Sequence, residues 1–163
     1  MDIQQYGFDF ESYNSIDELN KVDADLLRAA QSSINLAYAP YSEFKVGAMA
    51  LLANGKTVAG SNQENASYPV GICAERVLLS AVSSLYPGIA IQAIAISYHN
   101  TNGQSNKPIT PCGICRQSLT ETETRFQQPI RLILAGETGK VWVIPRASML
   151  LPFGFSGEDM DNG

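Results

Sequence analysis

Apolar and polar positions along the chain fall into blocks of two periods. In "VDADLLRAAQSSINLAYA", apolar residues recur at Val22, Leu26, Leu27, Ala30, Ile34 and Ala37. That spacing predicts a helix, with Asp23 or Asp25 near its N-terminus. "APYS" breaks the pattern. "FKVGAMALLANGKTVAGSN" follows, two β-prone runs around Asn54-Gly55, a dipeptide suited to a tight hairpin turn. "CAERVLLSAVSSLYPG" returns to the helical period and stops at Pro87-Gly88. "IAIQAIAISYH" is almost continuously apolar and predicts a buried strand. The polar loop "NTNGQSNKP" leads to "CGICRQSLTETETRF", a helix that begins immediately after Pro111. "IRLILAG" and "KVWVIP" read as strands around a Glu-Thr-Gly-Lys turn. Residues 1 to about 20 are polar with scattered aromatics, and "YGFDF" among them fits a short edge strand or a loose arm. The end is a short apolar piece, "LLPFGF", and an acidic tail. Strands alternate with helices, which predicts an α/β class with a layered sheet.

A chain of 163 residues fits one domain, and at this length a single core needs no disulfide staples. The net charge of −5, with 11 Lys and Arg that never cluster, argues against a nucleic-acid surface and against an anionic membrane partner. No apolar run is long enough to span a bilayer. "MDIQQYGFDFESY" lacks the basic and apolar regions of a signal peptide. Three cysteines cannot all pair within the chain. The expected compartment is therefore a reducing cytoplasm, where such cysteines read as metal-binding or catalytic.

Cys112 and Cys115 are three apart at a predicted helix start, which puts both sulfurs on one face. Cys73 also falls where a helix begins. The partial positive charge of a helix N-terminus favours thiolate over thiol. Three thiolates make a three-ligand site, suited to zinc by their softness, with the fourth tetrahedral position left for water. The plainer alternative is buried free thiols. His99, the single histidine, stands at a strand end beside a polar loop and reads as a surface residue. Glu75 follows Cys73 by two; at a first helical turn it can reach over a metal and relay a proton, or it can simply complement the helix dipole. C-x-E, then P-C-x-x-C about forty residues later, is the zinc nucleobase-deaminase arrangement in its three-cysteine form.

Together with "AYAPYSEFKVGA", "NQENASYP", "CAER", "PCGICRQ" and "LLPFGF", these residues make the chain resemble the small homotetrameric cytidine deaminases from roughly Ala37 to Met160. The resemblance implies a three-layer α/β/α fold with a central mixed five-stranded sheet. It implies a catalytic domain over residues 21–163, preceded by an extension, residues 1–20, of unknown role. It implies one zinc per chain on Cys73, Cys112 and Cys115, with Glu75 as the proton shuttle and the Ala74 backbone framing the base. Phe44 would pack on the pyrimidine, and Asn62 and Glu64 would hold the ribose 3′-hydroxyl. Arg76 would hydrogen-bond the thiolates. Phe155, or alternatively Phe153, would be lent to a neighbouring subunit's site in a homotetramer.

The implied reaction is hydrolytic deamination of cytidine and 2′-deoxycytidine to uridine and 2′-deoxyuridine with release of ammonia, a step of pyrimidine salvage. Elementary chemistry bears on several of these roles. Asn62 and Glu64, two apart in extended chain, share a face. A carboxylate suits a free hydroxyl and repels phosphate, which favours free nucleosides over nucleotides. A guanidinium beside three thiolates would withdraw charge from a site with a net −1. Phe44 lies in a β-prone run, where an aromatic is also ordinary core. Three alternatives stand beside this reading. One is a small-molecule deaminase of the blasticidin S type. Another is a polynucleotide-editing deaminase, although no basic aromatic channel is visible. The third is a noncatalytic zinc-stabilised binding module, against which Glu75 argues.

Overall fold

A six-stranded mixed sheet lies at the centre of the computed structural model, which describes residues 1–160. In chain order the elements are β1 (Glu11–Tyr13), α1 (Lys21–Ser33), β2 (Phe44–Leu52), β3 (Thr57–Ser61), α2 (Ala74–Leu85), β4 (Ile91–Asn100), α3 (Gly113–Phe126), β5 (Arg131–Ala135) and β6 (Val141–Ile144). The strand order is β1-β6-β5-β4-β2-β3. Only β4 and β5 run parallel, and α3 makes the crossover that a parallel pair requires. The last residues of the acidic tail, 161–163, lie outside the described residues.

Five strands were expected and six are present. The added strand is β1, whose Glu11, Ser12 and Tyr13 pair with Val143, Trp142 and Val141 of β6. The weak alternation of "YGFDF" stops just short of it. Three largely exposed residues carry no readable period, and the open edge of β6 decides where they pair.

The two faces of the sheet differ in side-chain size. Along β4, Ala93 and Ala95 point to one side, where Leu26, Leu27 and Ala30 of α1 cover them. Ile94 and Ile96 point to the other, against Leu78, Leu79 and Val82 of α2 and Leu119 of α3. A strand covered on both faces explains the nearly unbroken apolar run. Small residues let the helices come close. A Cβ on Gly47 would stand 2.3 Å from the carbonyl oxygen of Ala30, and one on Gly60 would stand 2.4 Å from that of Ala74. The first residue of α2 thus rests directly on the β3 backbone.

α1 is capped by Asn20, one turn before the aspartates singled out in the sequence. The Asn20 side chain accepts from the Asp23 N–H at 3.0 Å and donates to the Asp23 carboxylate at 2.7 Å. Asp23 itself is buried and takes a two-pronged contact from Arg131 of β5, with Nη1 at 2.7 Å. Among the described residues no helix is long and apolar enough to cross a membrane.

Candidate metal centre and the cleft around it

Two helix starts converge at one point beside the sheet. Cys73 is the N-cap residue of α2 and Cys112 that of α3, both with extended backbone. Neither side chain caps its own helix, so both sulfurs are free to turn toward a common centre. Cys115, one turn into α3, is buried beneath them. The Cys73 and Cys112 sulfurs are 3.8 Å apart, those of Cys112 and Cys115 are 3.4 Å apart, and all three lie within 4.8 Å of one another. Tetrahedral zinc–sulfur bonds of about 2.3 Å put sulfurs about 3.8 Å apart, so the donor set fits a zinc ion in both chemistry and spacing.

The electrostatics of the three sulfurs are unequal. Cys73, half-buried, is held down to about 6, first by the hydrogen bond it receives from the Cys115 thiol and then by the Cys112 thiol and the Arg76 charge. Cys115 is pushed up by that same bond and by burial. Glu75 lies in the first turn of α2 and is 5% exposed. Burial raises its carboxyl above the ordinary carboxylate value, while hydrogen bonds from its own N–H and from Cys115 pull the other way. A buried carboxyl touching the cysteine cluster can hold a proton or release it. Ala74, between Cys73 and Glu75, is fully buried, and its N–H belongs to the helix start, where donors have no acceptor within the helix.

One backbone bridge ties the segment carrying Asn62 and Glu64 to this centre. Gln63 and Ile72 exchange backbone hydrogen bonds of 2.9 and 3.0 Å, which ties the Asn62–Glu64 strand end to the residue before Cys73. Asn62 accepts from the Val46 N–H at 2.7 Å and donates to the Phe44 carbonyl at 2.9 Å, extending the β2–β3 ladder with its side chain. Each half of its amide retains one further bonding position. Glu64 accepts from the N–H groups of Tyr41 and Ser42 at 2.9 and 3.2 Å and from the Ser42 hydroxyl. These bonds, the hydroxyl's first, hold its carboxyl below the usual range. With Tyr41, Ser42, Asn65, Tyr68 and Gly71 it lines a hollow of about 350 Å³.

Phe44 opens onto a different hollow, of about 550 Å³, which it shares with Tyr98, Asn100 and Lys107. Its ring stacks on buried Tyr98 at 4.9 Å and 16°. Arg76 borders an open groove between α2 and α3, close enough for its charge to act on Cys73. His99 is partly exposed and pairs with Glu137 at 2.9 Å. Phe155 is 58% exposed and Phe153 97% exposed.

Four contributors were not singled out by sequence reasoning. Gln63 and Ile72 form the bridge, and Tyr98 backs Phe44 from a strand. Arg116 donates to the carbonyls of Pro111 and Leu150 at 2.8 and 2.9 Å and to the Thr110 hydroxyl at 3.0 Å. Arg116 was visible inside "PCGICRQ", but its acceptors lie on both sides of the helix and leave no trace in spacing.

The family model for the cytidine and deoxycytidylate deaminase zinc-binding region matches residues 20–127. The chain belongs to this deaminase family. The matched stretch contains all three cysteines, Glu75, Arg76, Phe44, Asn62 and Glu64; Phe153, Phe155 and β1 lie beyond it. A cytidine deaminase of Halalkalibacterium halodurans is 34% identical over 137 residues, covering 84% of this deaminase-family chain and 96% of the relative. A probable cytidine deaminase of Dictyostelium discoideum is 37% identical over 136 residues, covering 81% and 82%. The crystal structure of cytidine deaminase from Burkholderia pseudomallei superposes with a TM-score of 0.70 at 38% identity, covering 80% of this chain and 97% of that one. That from Mycobacterium tuberculosis gives 0.62 at 31%, covering 83% and 98%.

Proposed function

We propose that the chain hydrolyses the exocyclic amine of cytidine and 2′-deoxycytidine, giving uridine or 2′-deoxyuridine and ammonia, as a step of pyrimidine salvage in the cytoplasm. The observation that carries this reading is buried Glu75 against a cluster of three cysteine sulfurs at two helix starts. Cys73, Cys112 and Cys115 would hold one zinc, which when bound supplies a Lewis acid that makes water a nucleophile at neutral pH. Glu75 takes one proton of the attacking water and gives it to the ring N3, which makes C4 electrophilic. It then takes the second proton from the hydroxyl added at C4 and delivers it to the departing amine, leaving the C4 carbonyl and ammonia. A carboxyl raised by burial suits this exchange, because it must accept and return a proton at each turnover.

Substrate is held by groups that stand apart from the sulfurs. Phe44 offers one ring face to the pyrimidine while Tyr98 backs the other. The free bonding positions of Asn62 and the charged Glu64 receive the ribose 3′-hydroxyl. A carboxylate at that place disfavours a 3′-phosphate, which tells against internal residues of a polynucleotide; free nucleosides are the substrate class in this reading. Arg76 tempers the negative charge of the thiolates. Phe155 completes the site of a neighbouring subunit in a homotetramer. Residues 21–163 form the catalytic domain in this reading.

The deciding experiment is metal content together with cytidine turnover on one purified sample. One zinc per chain and formation of uridine are expected. A folded chain that takes up no zinc would overturn the reading at its base. Zinc without turnover would overturn the choice of substrate.

A further inference from the structure

Residues 6–10 lie outside the family match and make contacts that the deaminase reading leaves unused. Tyr6 donates its hydroxyl to the Met149 carbonyl at 3.1 Å, and its ring lies 6.2 Å from that of Phe153. Phe8 packs against the core beneath α2 and α3. Phe10 meets Trp142 of β6 edge-on at 5.4 Å, and β1 then joins β6. The N-terminal arm is therefore anchored at three successive aromatics before its strand begins.

The segment Met149–Phe155 is gripped from the opposite side as well. Arg116 donates to the Leu150 carbonyl at 2.9 Å, and Gln117 donates to the Phe155 carbonyl at 2.8 Å. Both stand on α3 directly after Cys115. The backbone of this segment is thus fixed between the arm and the helix that carries two of the sulfurs. Its aromatic side chains stay largely exposed: Phe153 almost wholly so, with only the Tyr6 ring beside it, on a left-handed backbone with φ of 57°. That conformation is uncommon for a bulky residue and needs support from its surroundings.

We infer that Tyr6 is a positioning residue for the substrate site: it fixes the backbone of residues 149–155 so that the exposed aromatic pair is presented to the nucleoside site of a second copy of the chain. This rests on the proposed function, in which that segment completes a neighbouring site. A merely structural arm would change stability and leave substrate affinity alone.

The test uses the full-length, zinc-loaded chain with Tyr6→Ala and Tyr6→Phe. Tyr6 is itself about half exposed, so neither change threatens folding. Three readouts are taken: cytidine kinetics, the rate of chymotryptic cleavage after Phe153 and Phe155, and emission of Trp142, the chain's one tryptophan. Tyr6→Ala is expected to speed cleavage and raise KM roughly three- to tenfold, the scale of one hydrogen bond and a ring contact. It should leave kcat, zinc content and Trp142 emission unchanged. Tyr6→Phe keeps the ring and loses the donor, so its KM should fall between. An unchanged KM overturns the inference even if cleavage quickens, and so does a fall in kcat at constant KM. A parent chain that binds zinc but leaves cytidine intact sinks the deaminase reading separately; unchanged cleavage in Tyr6→Ala would then overturn the brace on its own.

Discussion

In the middle of a helix, a carboxylate two residues after a sulfur would point away from it. Cys73 escapes that rule because it is the N-cap, with extended backbone, while Glu75 is already in the first turn. The pair C-x-E is therefore informative only at a helix start. Glu75→Gln keeps the shape and removes the proton carrier. It is expected to lower kcat by about 10²- to 10⁴-fold with one zinc still bound, checked by metal analysis beside loss of cytidine absorbance. The cysteines and Glu75 were legible in the sequence because their spacing coincides with two predicted helix starts. Gln63, Ile72 and Tyr98 were not, because what they contribute is a bridge or a ring stack between residues far apart in the chain. Asn62 was legible as a polar residue at a strand end, but its hold on Phe44 and Val46 was hidden.

At the scale of elements, the position of α2 is set by a glycine. Gly60→Val would drive a side chain into the Ala74 carbonyl and the Leu78 backbone, which stand 2.4 and 2.7 Å from an added Cβ. Backbone cannot swing aside as a side chain can, so α2 must lift from the sheet, and Cys73 and Glu75 with it. A loss of about 1–3 kcal/mol is expected in denaturant unfolding, together with weaker zinc retention against a chelator. The far end of α3 is fixed by Glu123. This buried carboxylate accepts from the N–H groups of Ile130, Ala147 and Ser148 at 2.7, 2.9 and 3.2 Å. Glu123→Ala would strand the Ile130 and Ser148 donors, while the Ala147 N–H keeps the Ile130 carbonyl at 2.9 Å, and should cost about 2–4 kcal/mol, read from the same unfolding curves. In the sequence, "TETETRF" looks like a solvated face, since alternating polar residues give no sign of which one turns inward. The longer helices and strands were legible from their periods, whereas β1 was too short to have one.

For the whole molecule, the proposed assembly has a direct measure. Sedimentation should give four times the 17.6 kDa chain mass, and a monomer at working concentration would overturn it. Phe155→Ala should leave that mass and the zinc content intact while raising KM for cytidine, which separates a lent side chain from an interface residue. Layering and class were readable from the alternation of periods, but the number of strands was not, because edge pairing depends on which strand is left open.

That open edge has a consequence for solubility. Val141–Ile144 is a short, β-prone, uncharged run, the kind of segment that recruits strands from other chains. β1 occupies its free side with three residues, two of them exposed and one a glutamate, and so replaces a sticky border with a brief, charged one. A chain that begins at residue 20, where the family match starts, would leave this border of β6 uncovered and is expected to precipitate more readily than the full chain.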